Sequence, residues 1–299
     1  MPFPFFYLIR LDNYIEYFVK DLLIPNTRGF FQIIKLPVDV ILSSMESFLL
    51  WLPPLVILAI VLLLAWRLLR LSAAIISVVA LMLVGYLGLW NQAMTTLAMI
   101  LTAVIFCAIV GIPLGILAAR SERFESGLRP VLDAMQTIPA FVYLVPIVML
   151  FGVGIVPGVI ATIIFSLPPI VRLTNLGIRQ VQRELVEAAY SFGATPRQVL
   201  FEVQVPLAVR SIMAGLNQTL MLALSMVVIA ALIGAGGLGE TVYVGLGRND
   251  VGLAAIGGIG IVILAIILDR LTQAITKQRP PRQNLFMQRL RSWYRSRRS

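Results

Sequence analysis

Of the side chains that commonly carry chemistry, this sequence of 299 residues has one cysteine, Cys107, three lysines, Lys20, Lys35 and Lys277, and no histidine. Without histidine there is no imidazole metal site, no Ser/His triad and no near-neutral proton shuttle. A single cysteine in an apolar run can build neither a disulfide framework nor a thiolate metal site within one chain. None of the lysines follows the spaced glycines of a phosphate-binding loop, so nucleotide chemistry by that route must belong to another subunit. The chemistry that remains is recognition. It concentrates in ELVEAAYSFGATPRQVLFEVQVP, Glu184 to Pro206, where Glu184, Glu187, Arg197 and Glu202 interrupt an otherwise apolar chain.

That insert must be positioned by what surrounds it. Hydrophobic residues make up 59% of the chain and charged ones 13%, against about 45–50% and 25% in soluble domains, which places the protein in the membrane class. Crossing ~30 Å of hydrocarbon takes about 20 helical residues. Seven apolar runs approach that length, at 51–69, 72–90, 94–118, 131–151, 155–171, 211–234 and 251–269. The expected architecture is an all-α polytopic transmembrane bundle of about seven spans. Pro139, Pro146, Pro168 and Pro169 predict kinks in the fourth and fifth. Glycine pairs at spacing four, Gly111 with Gly115 and Gly154 with Gly158, predict close helix crossings.

Basic residues set the orientation. Arg10, Lys20, Arg28, Lys35 and Arg248 fall on one side, and the other 19 of the 24 fall on the opposite side, while acidic residues divide evenly. The bias predicts an outer N-terminus, a cytoplasmic C-terminus and a cytoplasmic insert. The formal charge of +10 is then mainly a topology signal. No cleavage site follows the N-terminal apolar stretch, so a cleaved signal peptide is not expected. The division is a leader at 1–50, amphipathic and extracytoplasmic; two leading membrane helices at 51–91; a core at 92–275 with a cytoplasmic loop at 172–210; and a basic tail at 276–299. The tail reads as an anchor touching anionic lipid rather than as a nucleic-acid patch.

Within the insert, Val181, Leu185, Ala188, Ala189 and Phe192 recur at helical spacing and mark one apolar face. Gly193 suits a helix C-terminus. Thr195, Pro196 and Gln198 spell a capped start with proline at the first helical position and glutamine able to reach back. Pro206 is expected to stop the second helix. A helix-turn-helix reader of nucleic acid has this outline, but its second helix would have to be strongly basic, and here Arg197 is followed by Glu202. No binding to nucleic acid is expected.

The pattern Glu187, Ala188, Ala189, three residues, Gly193, nine residues, then Val203, Gln204, Val205, Pro206 resembles the EAA motif of ATP-binding-cassette importer permeases, with valine in place of isoleucine and leucine. The runs LDAMQTIPAFVYLVPIVMLFG, IIFSLPPIVRLTNLGI and NQTLMLALSMVVIAALIGAGGLG, with FFQIIKLPVDVIL before them, resemble the membrane subunit of glycine betaine/proline betaine importers. The resemblance spans residues 30 to 275. It implies a type I importer permease fold in the bacterial inner membrane and a non-catalytic subunit with no cofactor or metal of its own. The implied partners are two ATPase subunits, an extracytoplasmic substrate-binding protein, a second permease copy and membrane lipid. It also implies that Glu187, Ala188, Ala189, Gly193 and Pro206 form the contact with the ATPase.

The polar residues inside the spans are Thr102, Gln136, Thr137, Thr162, Asn217, Gln218, Thr219 and Ser225. Gln136, Thr137, Asn217 and Gln218 are the candidates for a translocation path, against helix-to-helix hydrogen bonding as the alternative. From Met94 onward the spans hold no ionisable residue away from their ends, so the rival function, an ion-coupled secondary carrier or channel acting alone, lacks the usual intramembrane carboxylate.

Overall fold

The structure is a computed structural model that describes residues 24–276. The first half of the leader, with its Asp12, Glu16, Lys20 and Asp21 face, and the tail from 277 lie outside the described residues. All regular structure among the described residues is helical. The helices, in chain order, are α1 Ile24–Trp51, α2 Pro54–Leu68, α3 Leu71–Tyr86, α4 Trp90–Arg120, α5 Glu122–Thr137, α6 Leu144–Phe151, α7 Ile155–Arg179 and α8 Arg183–Ser191. They continue with α9 Pro196–Ile233, α10 Gly237–Gly247 and α11 Val251–Thr276.

Every one of the seven apolar runs is helical, but they do not make seven uniform spans. Four helices, α4, α7, α9 and α11, are long and apolar enough to cross a membrane, or up to six if each bent pair counts as one. The reasons are local. Pro53 follows the end of α1, and the chain turns by 102° into α2, leaving α2 with 15 residues, or about 22 Å of helix. A turn at 87–89 ends α3 after 16 residues. The fourth run splits at Pro139, where α5 meets the short helical segment leading to α6 at 106°. The fifth run, which apolarity closes at residue 171, continues as helix to Arg179. Charge ends the hydropathy signal there, but not the backbone hydrogen bonding.

α7 is the centre, flanked by α4 and α9. Its upper half joins a core in which Met94, Ala98 and Met99 of α4 meet Val159 and Ala161 of α7 and Met226 and Val227 of α9, all buried. A second cluster at the lower end holds Cys107, Ile170, Val171, Leu200 and Ile212. The expected close crossing is present at α4 and α7. A Cβ on Gly115 would stand 2.5 Å from Thr174 Cβ and 2.7 Å from the Val171 carbonyl, and one on Gly111 would collide with Ile170. The second glycine pair divides its roles. Gly158 lies against Ala235, whereas Gly154, with φ +126°, has open space around it and caps α7.

The described half of the leader also packs inward. Val38 and Leu42 of α1 are buried in the main core, and Glu46 accepts a 2.7 Å hydrogen bond from Thr95 of α4.

Candidate functional site

The insert forms an elbow at the end of the bundle where α7 stops. α8 carries Glu184 in its first turn, where a carboxylate complements the positive end of the helix dipole, and none of its nine residues is buried. The apolar face read from the sequence exists, and the described residues cover it only in part. Leu185 is 44% exposed, Tyr190 48% and Phe192 93%; Ala188 is exposed as well, and Ala189 half-buried. Covering a large apolar side chain stabilises by about 1.5–3 kcal/mol, so burial of Leu185, Tyr190 and Phe192 against another surface would be favourable. Glu187 stands exposed on the same helix. Its side chain has no ion-pair partner among the described residues.

The turn is built as its sequence requires. Gly193 takes φ +83°. Its amide bonds the Tyr190 carbonyl at 2.9 Å, and that of Ala194 bonds the Ala189 carbonyl at 3.1 Å, the paired bonds that close a helix end over a left-handed residue. Thr195 and Gln198 form the reciprocal capping box. Gln198 N–H donates to Thr195 Oγ1 at 3.4 Å, and Thr195 N–H donates to Gln198 Oε1 at 2.9 Å. Buried Val199 and Leu200 then fasten the start of α9 to the bundle.

Pro206 does not stop this helix. α9 runs unbroken from Pro196 to Ile233, because residues 199–204 form a widened π-type turn. Proline lacks an N–H, and its ring clashes with the carbonyl four residues back in a regular α-helix. The wider turn removes the need for that bond and opens room for the ring. Pro206 lines a cavity of about 490 Å³ between the end of α7, the start of α8 and α9, together with Gln182, Leu185 and Arg210. Glu187, Ala188, Ala189 and Gly193 thus share the outward elbow, with Pro206 at its root.

The path candidates are not all brought together. Gln136 and Thr137 are exposed at the end of α5, beside the bend, and Gln218 is exposed on α9. Asn217 turns instead toward α11, where it donates to Asp269 Oδ1 at 3.4 Å and accepts from Thr272 Oγ1 at 2.5 Å. Gln273 donates to the same Asp269 oxygen at 2.7 Å. Among the other polar residues, Thr162 and Ser166 donate to the carbonyls of Gly158 and Thr162 in their own helix. Tyr143 is buried and donates to the Met135 carbonyl at 2.6 Å, bracing the α5–α6 bend, while Phe141 is exposed.

One charged group was not singled out by the sequence reading. Arg172 pairs with Asp133 at 2.6 Å, and Arg179 pairs with Glu125 at 2.9 Å, so two bridges tie α5 to the end of α7. The signal was present: Arg172, Asn175 and Arg179 lie at helical spacing, but beyond the point where apolarity ends.

Comparison with known proteins accords with this architecture. Residues 111–279 match the family described as binding-protein-dependent transport system inner membrane component. The chain is 55% identical over 287 residues to the glycine betaine/proline betaine transport system permease protein ProW of Escherichia coli (strain K12), covering 96% of this chain and 79% of that one. It is 44% identical to the glycine betaine transport system permease protein OpuAB of Bacillus subtilis (strain 168), covering 92% and 98%. Among solved structures, an inward-facing form of the MetNI methionine ABC transporter superposes with a TM-score of 0.57 at 21% identity, over 63% of this chain and 94% of that one; that likeness concerns the fold. The chain belongs to the family of binding-protein-dependent transport system inner membrane components.

Proposed function

We propose that this protein is the permease subunit of an ATP-driven importer of compatible solutes of the glycine betaine/proline betaine class. It forms the translocation path and takes its energy from a separate ATPase; it is not itself a catalyst. The observation that carries this reading is the elbow: Phe192, at the end of α8, is almost fully exposed, Glu187 has no ion pair among the described residues, and no residue of α8 is buried. The names of the similar permeases supply the solute class. The distribution of basic residues supports a cytoplasmic elbow in an inner-membrane protein with its N-terminus outside. Ala188 and Ala189 allow close approach of a partner's backbone, Glu187 supplies a polar rim, and Gly193 sets the angle at which the face is offered.

Two permease copies seat two ATPase subunits, and an extracytoplasmic binding protein delivers solute. Gln218 and Ser225 lie seven residues apart on one exposed face of α9; Ser225 donates to the Met221 carbonyl of its own helix, and Gln218 takes its partner from a second copy. Gln136, Thr137 and Gln218 line the seam, while Asn217 supports it from behind through Asp269.

The test is co-expression with a candidate ATPase and binding protein, followed by reconstitution into liposomes. ATP-dependent glycine betaine uptake and copurification of the ATPase are expected. Uptake by the isolated chain driven by an ion gradient would establish the rival carrier instead.

A further inference from the structure

Arg179 is the last residue of α7, four positions before α8 begins. Its guanidinium reaches three helices at once. Nη2 lies 2.9 Å from Glu125 Oε2 on α5 and donates at 2.9 Å to the Ala118 carbonyl near the end of α4. Nε donates at 2.9 Å to Asn175 Oδ1 on α7 itself. Asn175 Nδ2 in turn donates to Glu125 Oε1 at 3.2 Å, closing a ring of three side chains. The Ala118 carbonyl is among the last four of α4, which have no partner within their helix.

Beside this ring, α5 is held by the Arg172–Asp133 bridge and by little burial. Of its 16 residues only Leu132 is buried, and its far end is the bend at Pro139 beside Gln136 and Thr137. Glu125 and Arg179 are each about a third exposed, with side-chain accessibilities of 27% and 35%, so the ring can open and close without unfolding a core.

We propose that Arg179 is a positioning residue that transmits displacement of the elbow to α5, and through α5 to the bend, with Glu125 and Asn175 as its partners. The proposal rests on the coupling role argued above for α8. When a partner moves α8, the end of α7 moves with it, and the ring obliges the foot of α5 to follow. Arginine is required because a planar fork of donors can hold a carboxylate, an amide oxygen and a carbonyl together, whereas a lysine ammonium is a point charge that cannot span all three.

The experiment uses the full transporter in liposomes, with ATPase and binding protein, and reads the ATP hydrolysed per glycine betaine imported. Glu125→Gln and Arg179→Lys are expected to raise that ratio about fivefold or more, the lower end of typical coupling between sites. The affinity of the permease for its ATPase should be unchanged, since neither residue lies on α8. Arg129→Gln, which removes a charge from the same groove from a side chain that bonds none of the described residues, should leave the ratio at the wild-type value. Unchanged ratios in both test variants would overturn the proposal, as would hydrolysis and uptake falling in proportion, the mark of a merely unstable complex. If Arg179→Lys fails to assemble, Glu125→Gln on the more exposed helix decides alone. Wild-type complex lacking ATP-driven uptake would sink the coupling reading itself, a result distinct from a wild type that transports beside variants that remain coupled.

Discussion

Replacing Gly193 isolates the geometry of the elbow from its contacts. A Cβ at this position would meet nothing within 4 Å, so Gly193→Ala creates no clash and removes no packing. What it changes is the backbone, because φ is +83° and an L-residue in the left-handed region costs roughly 1–2 kcal/mol, with asparagine the best tolerated after glycine. If the docking face is presented correctly only with that turn, the competent population falls by about 5- to 30-fold, since ~1.4 kcal/mol is a factor of ten. The assay is titration of the ATPase subunit against permease in lipid nanodiscs. Gly193→Ala should weaken association by that factor, Gly193→Asn by distinctly less, and neither should change the secondary structure of the bundle. Equal affinities for wild type, alanine and asparagine variants would refute the argument that the turn sets the docking angle.

Other outcomes follow from the same geometry. Gly193→Pro and Glu187→Lys should each abolish uptake while leaving membrane insertion intact, as read by vesicle transport beside quantified membrane protein. Gly115→Ala forces a methyl against Thr174 and the Val171 carbonyl and should destabilise by about 1–3 kcal/mol; Gly127→Ala, with open space on α5, should stabilise by about 0.5–1 kcal/mol, and thermal denaturation in detergent separates the two. Thr195→Ala removes one arm of the capping box and should cost about 1 kcal/mol, seen as faster hydrogen exchange at the Gln198 amide. Asn217→Leu withdraws a donor from Asp269 and should lower the thermal midpoint, a loss on the order of 1–3 kcal/mol.

Much of the elbow was legible because its determinants are local. A glycine needed for positive φ, a Thr–Pro–x–Gln start and an apolar face at helical spacing each act within a few residues, and each is found as read. Pro206 was misread because the remedy for a proline, a widened turn at 199–204, depends on how Val199 and Leu200 are anchored in the bundle. Hydropathy likewise set the span at 155–171, yet the helix persists to Arg179, since backbone bonding continues where apolar side chains stop. Asn217 and Gln218 are neighbours in sequence and indistinguishable by type. Their helix rotation sends one to Asp269 and the other outward.

By itself the sequence determined the solvent in which this protein folds, the helical content, the turn chemistry of the elbow and the lack of histidine, because these depend on residue type and short-range periodicity. Tertiary structure alone decided that the apolar face of α8 is only partly covered and that two ion pairs bind α5 to α7. Those pairs join residues 39 and 54 positions apart, and only the relative rotation of packed helices determines which side chains meet.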